Sequence, residues 1–249
     1  MKQIDFLNEK SVIIEPRKGK AESDIEGTVF LFFLPTDLKI AFSILRDKQK
    51  KRRIDFIELY EVNQDGKRFA IAGPAMGAPI AVILMERLIA LGAKNIIGVG
   101  SCGSLQENIH IGDYIIPTTA VVEEGTSQHY PIDDPPPKAS EKIIAFLKSC
   151  CHAKGLTFTM GKIWTTDAPF RETVKKVFEY KSQNVLGVEM EMSALLTVGT
   201  FRGINAGGFL VVSDELSTFK WKSGFSGDKY ISAMKTACET LLLNPKMIQ

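Results

Sequence analysis

Ile80–Ser104 reads IAVILMERLIALGAKNIIGVGSCGS. Its first half, Ile80–Leu91, is apolar nearly all round and long enough for a buried helix. Ala93–Val99 is a short apolar run of strand length, and it passes directly into Gly100-Ser101-Cys102-Gly103-Ser104. A buried helix, a buried strand and a glycine-rich strand end together specify an α/β unit. Working outward, the same alternation continues. Thr28–Leu34 reads as a buried strand that stops at Pro35-Thr36-Asp37, with Thr36 or Asp37 expected to cap a helix whose apolar face is Leu38, Ala41, Phe42 and Leu45. Asp55–Val62 and Arg68–Ala72 form a hairpin around Asp65-Gly66. Asp113–Pro117, Phe158–Ile163 and Ala206–Val212 are further strands, and Ala139–Lys154, Glu172–Tyr180, a segment ending near Thr200, and Lys229–Leu243 are helices. Asp133–Lys138, with three prolines, is a surface excursion. The expected fold is α/β: one domain over residues 1–249 with a poorly determined arm at 1–26, built on a mixed, largely parallel twisted sheet with helices on both sides.

Bulk composition removes whole function classes. Hydrophobic residues make up 45% and charged residues 24%, which is ordinary for a globular chain. A net charge of +2 supplies no field for nucleic acid or a membrane surface. The basic block Lys48–Arg53 is expected to be a solvated loop or helix end. Cys102, Cys150, Cys151 and Cys238 lack paired metal-ligand spacing, and the histidines are only His110, His129 and His152, so no metal site is expected. MKQIDFLNEK lacks the apolar core of a secretion signal, and no run is long enough for a membrane span. The chain is expected to be cytoplasmic.

Chemistry should gather where strands end. Ligands of open α/β sheets bind at the carboxyl ends of the strands. Here the punctuation is Gly73–Gly77, Gly100–Gly103, Thr165–Asp167, Glu189–Glu191 and Ser213-Asp214. The glycines, Gly103 among them, let backbone approach a ligand closely. Gly98-x-Gly100-x-x-Gly103 spells a dinucleotide fingerprint, but Asp113 stands too near to be its ribose-binding acid. Glu189 and Glu191 lie in an apolar run, Gly187-Val188-Glu189-Met190-Glu191-Met192. Burying such carboxylates costs several kcal/mol unless something there needs them. Strand alternation would turn both toward one face and Met190 away, whereas a helix start here would change that geometry.

The ordered set GPAMGAP (Gly73–Pro79), VGSCGSL with IGDYIIP (Val99–Pro117), GVEMEMSAL (Gly187–Leu195) and VVSDE (Val211–Glu215) resembles the nucleoside phosphorylases, the family of purine nucleoside phosphorylase, uridine phosphorylase and the methylthioadenosine nucleosidases. The resemblance covers roughly residues 28–243. It implies that Glu191 holds the ribose hydroxyls, with Glu189 and Met190 beside it, that Met76 lines the sugar, and that Ser101 meets phosphate. It implies that Asp214 protonates the departing base and that Arg171 contacts it. Trp164 and Phe170 are aromatic candidates for stacking on that base. Two departures stand out. The family's arginine falls at Gly98, and its phosphate loop corresponds to Leu34-Pro35-Thr36-Asp37-Leu38-Lys39. Lys39 and Arg46 are the cations available to compensate. The implied activity is phosphorolysis of a ribonucleoside to free base and ribose 1-phosphate, without a cofactor and with inorganic phosphate as co-substrate. Hydrolysis by water and nucleoside binding without turnover are the alternatives. The implied assembly is a homodimer or homohexamer.

Overall fold

The computed structural model describes residues 12–45, 50–54, 57–64, 66–244 and 248. In chain order the elements are β1 (Thr28–Phe32), α1 (Pro35–Ile44), β2 (Lys50–Ile54), β3 (Ile57–Gln64), β4 (Lys67–Gly73), α2 (Ala78–Ala90), β5 (Asn95–Ser104), β6 (Tyr114–Glu123), α3 (Glu141–Lys154), β7 (Thr159–Thr166), α4 (Val174–Ser182), β8 (Gly187–Glu189), α5 (Met192–Arg202), β9 (Asn205–Glu215), β10 (Lys222–Ser223) and α6 (Asp228–Leu242). Short 3-10 turns occupy Ser127–His129 and Pro169–Arg171.

One ten-stranded sheet joins all of these strands in the order β10-β9-β6-β7-β8-β5-β1-β4-β3-β2. It is mixed: β1, β4, β5 and β9 run parallel where they pair, as do β6, β7 and β8, whereas the β3 pairings, β5–β8 and β6–β9 are antiparallel. The sheet also folds back on itself. β5 pairs with β9 from Asn95 to Ser104, so β5, β9, β6, β7 and β8 close into a ring, and β1, β4, β3 and β2 extend from it as an open wing.

Alternation along the strands builds two apolar layers. Val29, Leu31, Ala70, Ala72, Ile96, Leu210 and Val212 pack with α2 and α5 on one face. Phe30, Phe32, Phe69, Ile71, Ile97, Val99, Phe209 and Val211 pack with α1, α3 and α6 on the other. Burying both faces explains why these strands read as continuous apolar runs rather than as alternating ones. Arg202 of α5 makes a forked pair with Glu86 of α2, at 2.8–3.0 Å, which pins the two helices of the first layer.

Three local expectations are corrected. Helix α1 begins at Pro35 with Leu34 as its N-cap, so neither Thr36 nor Asp37 caps it. Proline is well tolerated at the first helical position, where no N–H is needed. Lys50–Ile54, the described part of the basic block, is an edge strand on β3 rather than a loop or helix end. Cations on an edge strand keep other chains from pairing there, and Arg52 reaches Glu61 at 3.0 Å. The strand expected over Ala93–Val99 runs on through Gly100 to Ser104.

Candidate active site

A cleft of about 530 Å³ opens at the carboxyl ends of β1, β5, β8 and β9. That volume suits a small molecule. Its polar floor is made by Ser101, Glu189, Glu191, Ser213 and Asp214, and its apolar walls include Phe33, Met76, Val188, Leu216 and Phe225. Pro169, Phe170, Glu172 and Trp221 form the rim. Cys102 and Gly103 line it as well, as do Leu34 and Met190. Four acidic residues line this space, Glu172, Glu189, Glu191 and Asp214, and no Lys, Arg or His among the described residues does.

The two glutamates of the opening apolar run behave differently. Glu189 ends β8, and both of its oxygens are engaged. Oε2 accepts the backbone N–H groups of Glu191 and Met192, each at 2.7 Å, and Oε1 accepts the Thr165 hydroxyl. These bonds fasten the entry to α5. A second layer holds them: Thr165 Oγ1 accepts the Ser193 N–H at 2.9 Å, and the Ser193 hydroxyl donates to the buried Glu124 at 2.8 Å. Glu191 is the N-cap residue of α5, in a non-helical conformation, and its carboxyl turns into the cleft. Its Oε1 accepts the Gly77 N–H at 2.6 Å, and the Met190 N–H is 3.3 Å from Oε2. Gly77 sits at φ 85°, a left-handed conformation that glycine adopts without strain, and this aims its N–H at the carboxylate. Burial pushes both glutamates upward from the ordinary carboxyl range, and their mutual repulsion adds to the rise of Glu191.

Asp214, next to last in β9, lines the same cleft. Its Oδ1 accepts the Ser213 hydroxyl at 2.7 Å and its Oδ2 accepts the Trp221 indole N–H at 2.9 Å. Burial raises its pKa, and those two donors pull it back. Gly103 makes the room: a Cβ there would lie 2.8 Å from Asp214 Oδ2 and 2.4 Å from Leu216 Cδ1. Beside Asp214, Glu172 is pushed up to about 7, by burial first and then by the Asp214 charge.

The phosphate end expected from the sequence is built differently. A Cβ at Gly98 would lie 2.6 Å from Phe33 Cζ, and one at Gly100 would lie 2.4 Å from Phe33 Cδ2. The buried Phe33 ring therefore occupies the space over both glycines. Lys39 is exposed on α1 and does not line the cleft, and Arg46 lies outside the described residues. Asp37 is fully buried on the same helix, where the Tyr230 hydroxyl reaches both of its oxygens at 2.9 and 3.1 Å.

Met76, Ser101, Gly103, Phe170, Glu189, Met190, Glu191 and Asp214 thus meet in one cleft. Trp164 does not. It is fully buried against Tyr180, ring centroids 4.7 Å apart, and its indole N–H donates to Glu123 at 2.7 Å. Thr165 points at Glu189, so strand alternation sends the neighbouring Trp164 to the opposite face. Arg171 is exposed and does not line the cleft, whereas its neighbours do: Phe170, fully exposed at the mouth, and Glu172, half-buried. Glu172, Trp221 and Phe33 are cleft residues that sequence reasoning missed. Trp221, 68% exposed on a loop, gave no periodic signal. Glu172 reads as an ordinary first-turn helix acid. Phe33 belongs to an apolar run that spells only core. Cys102 lines the cleft, but burial and the Asp214 and Glu189 charges push its thiol far above its usual range, which rules out an easily formed thiolate.

Comparison with known proteins adds to this geometry. A model of the Phosphorylase superfamily matches residues 34–242. The DeoD-type purine nucleoside phosphorylases of Bacillus cytotoxicus and Bacillus cereus are each 34% identical over 211 residues, 84% of this chain and 88% of theirs. Among solved structures, the purine nucleoside phosphorylase of Toxoplasma gondii in complex with immucillin-H superposes with a TM-score of 0.78 at 23% identity, covering 88% of this chain and 90% of that one. The uridine phosphorylase of Vibrio fischeri ES114 superposes with a TM-score of 0.75 at 23% identity, covering 91% of this chain and 100% of that one.

Proposed function

The chain belongs to the phosphorylase superfamily, and from that membership we propose that its cleft phosphorolyses a ribonucleoside to free base and ribose 1-phosphate. The observation that supports this is that Glu191 and Asp214 both line one cleft of about 530 Å³, Glu191 held by the Gly77 N–H and Asp214 by Ser213 and Trp221.

In this reading the ribose lies over Glu191 and against Met76 and Met190, and the base lies between Phe170 and the Asp214 end. A phosphate oxygen forms the new bond to the anomeric carbon as the glycosidic C–N bond breaks, and the bonding pair leaves with the base. Asp214 gives the base a proton. The sugar passes through a cationic, oxocarbenium-like state. A carboxylate already bonded to the sugar hydroxyls holds that state more tightly than the ground state, which lowers the barrier. Bound hydroxyls and developing cation both draw Glu191 back toward its ionised form. Glu189 has no oxygen to spare and acts as a positioning residue. The phosphate is seated by the Ser101 hydroxyl and the first-turn N–H groups of α1, which no side chain caps. The reaction requires no cofactor. All four cysteines are free and buried, which suits a reducing, cytoplasmic setting. We also propose one domain, since a single sheet holds all the described strands, and a homo-oligomer.

The test is base release from adenosine, inosine, guanosine and uridine, with and without phosphate. Release that requires phosphate and yields an equal amount of ribose 1-phosphate is expected. Equal rates in phosphate-free buffer would overturn phosphorolysis. Glu191→Gln is expected to lower kcat/KM by about 10²–10³-fold, the scale for losing one preorganised electrostatic contact to the transition state.

A further inference from the structure

Among the described residues no hydrogen-bond donor or ion-pair partner reaches the Glu172 carboxyl, although the residue is half-buried and lines the cleft. The other three carboxyls of the cleft all accept hydrogen bonds from the protein. A half-buried carboxyl that lines a cleft and is bonded to no protein group has both oxygens available to a ligand. Its place is also defined. Glu172 follows the Pro169–Arg171 turn, lines the cleft together with Phe170 of that turn, and is near enough to Asp214 to feel its charge. It therefore stands at the base end and not at the sugar end.

We infer that Glu172 reads the exocyclic group of the base and makes the cleft select an aminopurine nucleoside over an oxopurine one. This rests on the nucleoside reading above. On the edge of a purine that carries N7, adenine presents an acceptor at N7 and an amino donor beside it, whereas hypoxanthine and guanine present two acceptors. Asp214, as proton donor, suits N7 in either case. Only the second position distinguishes the bases. An ionised Glu172 accepts from an amino group, and against a carbonyl oxygen it sets acceptor facing acceptor. A site that hydrogen-bonds one substrate discriminates strongly against the analogue that leaves its buried group unpaired. Glutamine in place of Glu172 keeps the size of the side chain and adds an amide donor, so it accommodates both bases.

The experiment compares kcat/KM for adenosine and inosine at about pH 8, with saturating phosphate, in the wild type, Glu172→Gln and Glu172→Ala. The wild type is expected to favour adenosine, and the adenosine-to-inosine ratio is expected to fall fivefold or more in Glu172→Gln. A smaller fall, or a wild type that favours inosine or a pyrimidine nucleoside, overturns the inference. Calorimetric titration with free adenine and free hypoxanthine gives a second reading that needs no turnover. A wild type that cleaves no nucleoside defeats the phosphorylase reading alone, and the ratio of base affinities in the wild type and Glu172→Gln then decides the role of Glu172 by the same fivefold criterion.

Discussion

Single side chains in this protein are governed by what burial does to charge. Glu189 and Glu191 are two positions apart in the chain, yet one is consumed by backbone N–H groups and the other is left facing a cleft. Asp37 gives the sharpest consequence. Burial raises its pKa from 3.8 to about 6, against the pull of the Tyr230 and Thr36 hydroxyls. The folded state therefore binds a proton that the unfolded chain has already lost between about pH 4 and 6. Stability falls as pH rises through that window, and the penalty is fully present above it. Two pKa units correspond to about 3 kcal/mol at most. Asp37→Asn keeps an oxygen for Tyr230 and removes the charge. It is expected to raise Tm by several degrees near pH 7.5 in a scanning calorimeter, and the gain should disappear below about pH 4. A gain that persists at low pH would show that charge burial is not the cause.

At the scale of elements, the strands outrun their apolar signals. β5 continues through Gly100–Ser104, β7 through Trp164–Thr166 and β9 through Ser213–Glu215. Apolar residues mark where helices cover a strand, whereas backbone pairing continues past that point wherever a neighbour offers hydrogen bonds. The overhanging ends of β5 and β9 line the cleft with Ser101, Ser213 and Asp214, whereas that of β7 supports it through Thr165, which donates to Glu189. The end of β1 and β5 fit closely, with the ring of Phe33, the residue after β1, lying across Gly98. Gly98→Ala pushes a methyl to within 2.6 Å of Phe33 Cζ and 3.1 Å of Leu195 Cδ1. Overpacking of this kind costs about 1–3 kcal/mol. Urea unfolding should show that loss in Gly98→Ala, and Phe33→Leu in the same chain should recover part of it. An unchanged midpoint in Gly98→Ala would mean that Phe33 moves aside freely.

For the whole molecule, the decisive event is closure. β5 and β9 pair over ten residues of β5 and also bound the ring on two sides, while β2 hangs at the far edge of the wing. Opening β5 or β9 requires breaking both apolar layers, so their amides can exchange only by near-global unfolding. Native-state hydrogen exchange should find the slowest amides at Ile96–Val99 and Phe209–Val212 and the fastest strand amides in β2. Slower exchange in β2 than in β5 would contradict this order. Closure also assembles the cleft, because Ser101, Glu191 and Asp214 come from segments far apart in the chain.

The alternation of helix and strand, the two-sided burial and the set of strand-end residues Ser101, Glu191 and Asp214 were legible in the sequence. Each is written in local periodicity or in a charge placed where burial makes it costly. Glu172 entering the cleft while Arg171 leaves it, Trp164 turning away from it, and Phe33 filling the place of an expected cation were not legible. Each depends on the rotational phase of a strand or turn, and that phase is set by partners distant in sequence. The amino acids by themselves determined an α/β chain with carboxylates stationed at its strand ends. Only the tertiary structure decided which of those carboxylates remain free to meet a ligand, because bonds from remote Thr165 and Gly77 reach Glu189 and Glu191, whereas no donor among the described residues reaches Glu172.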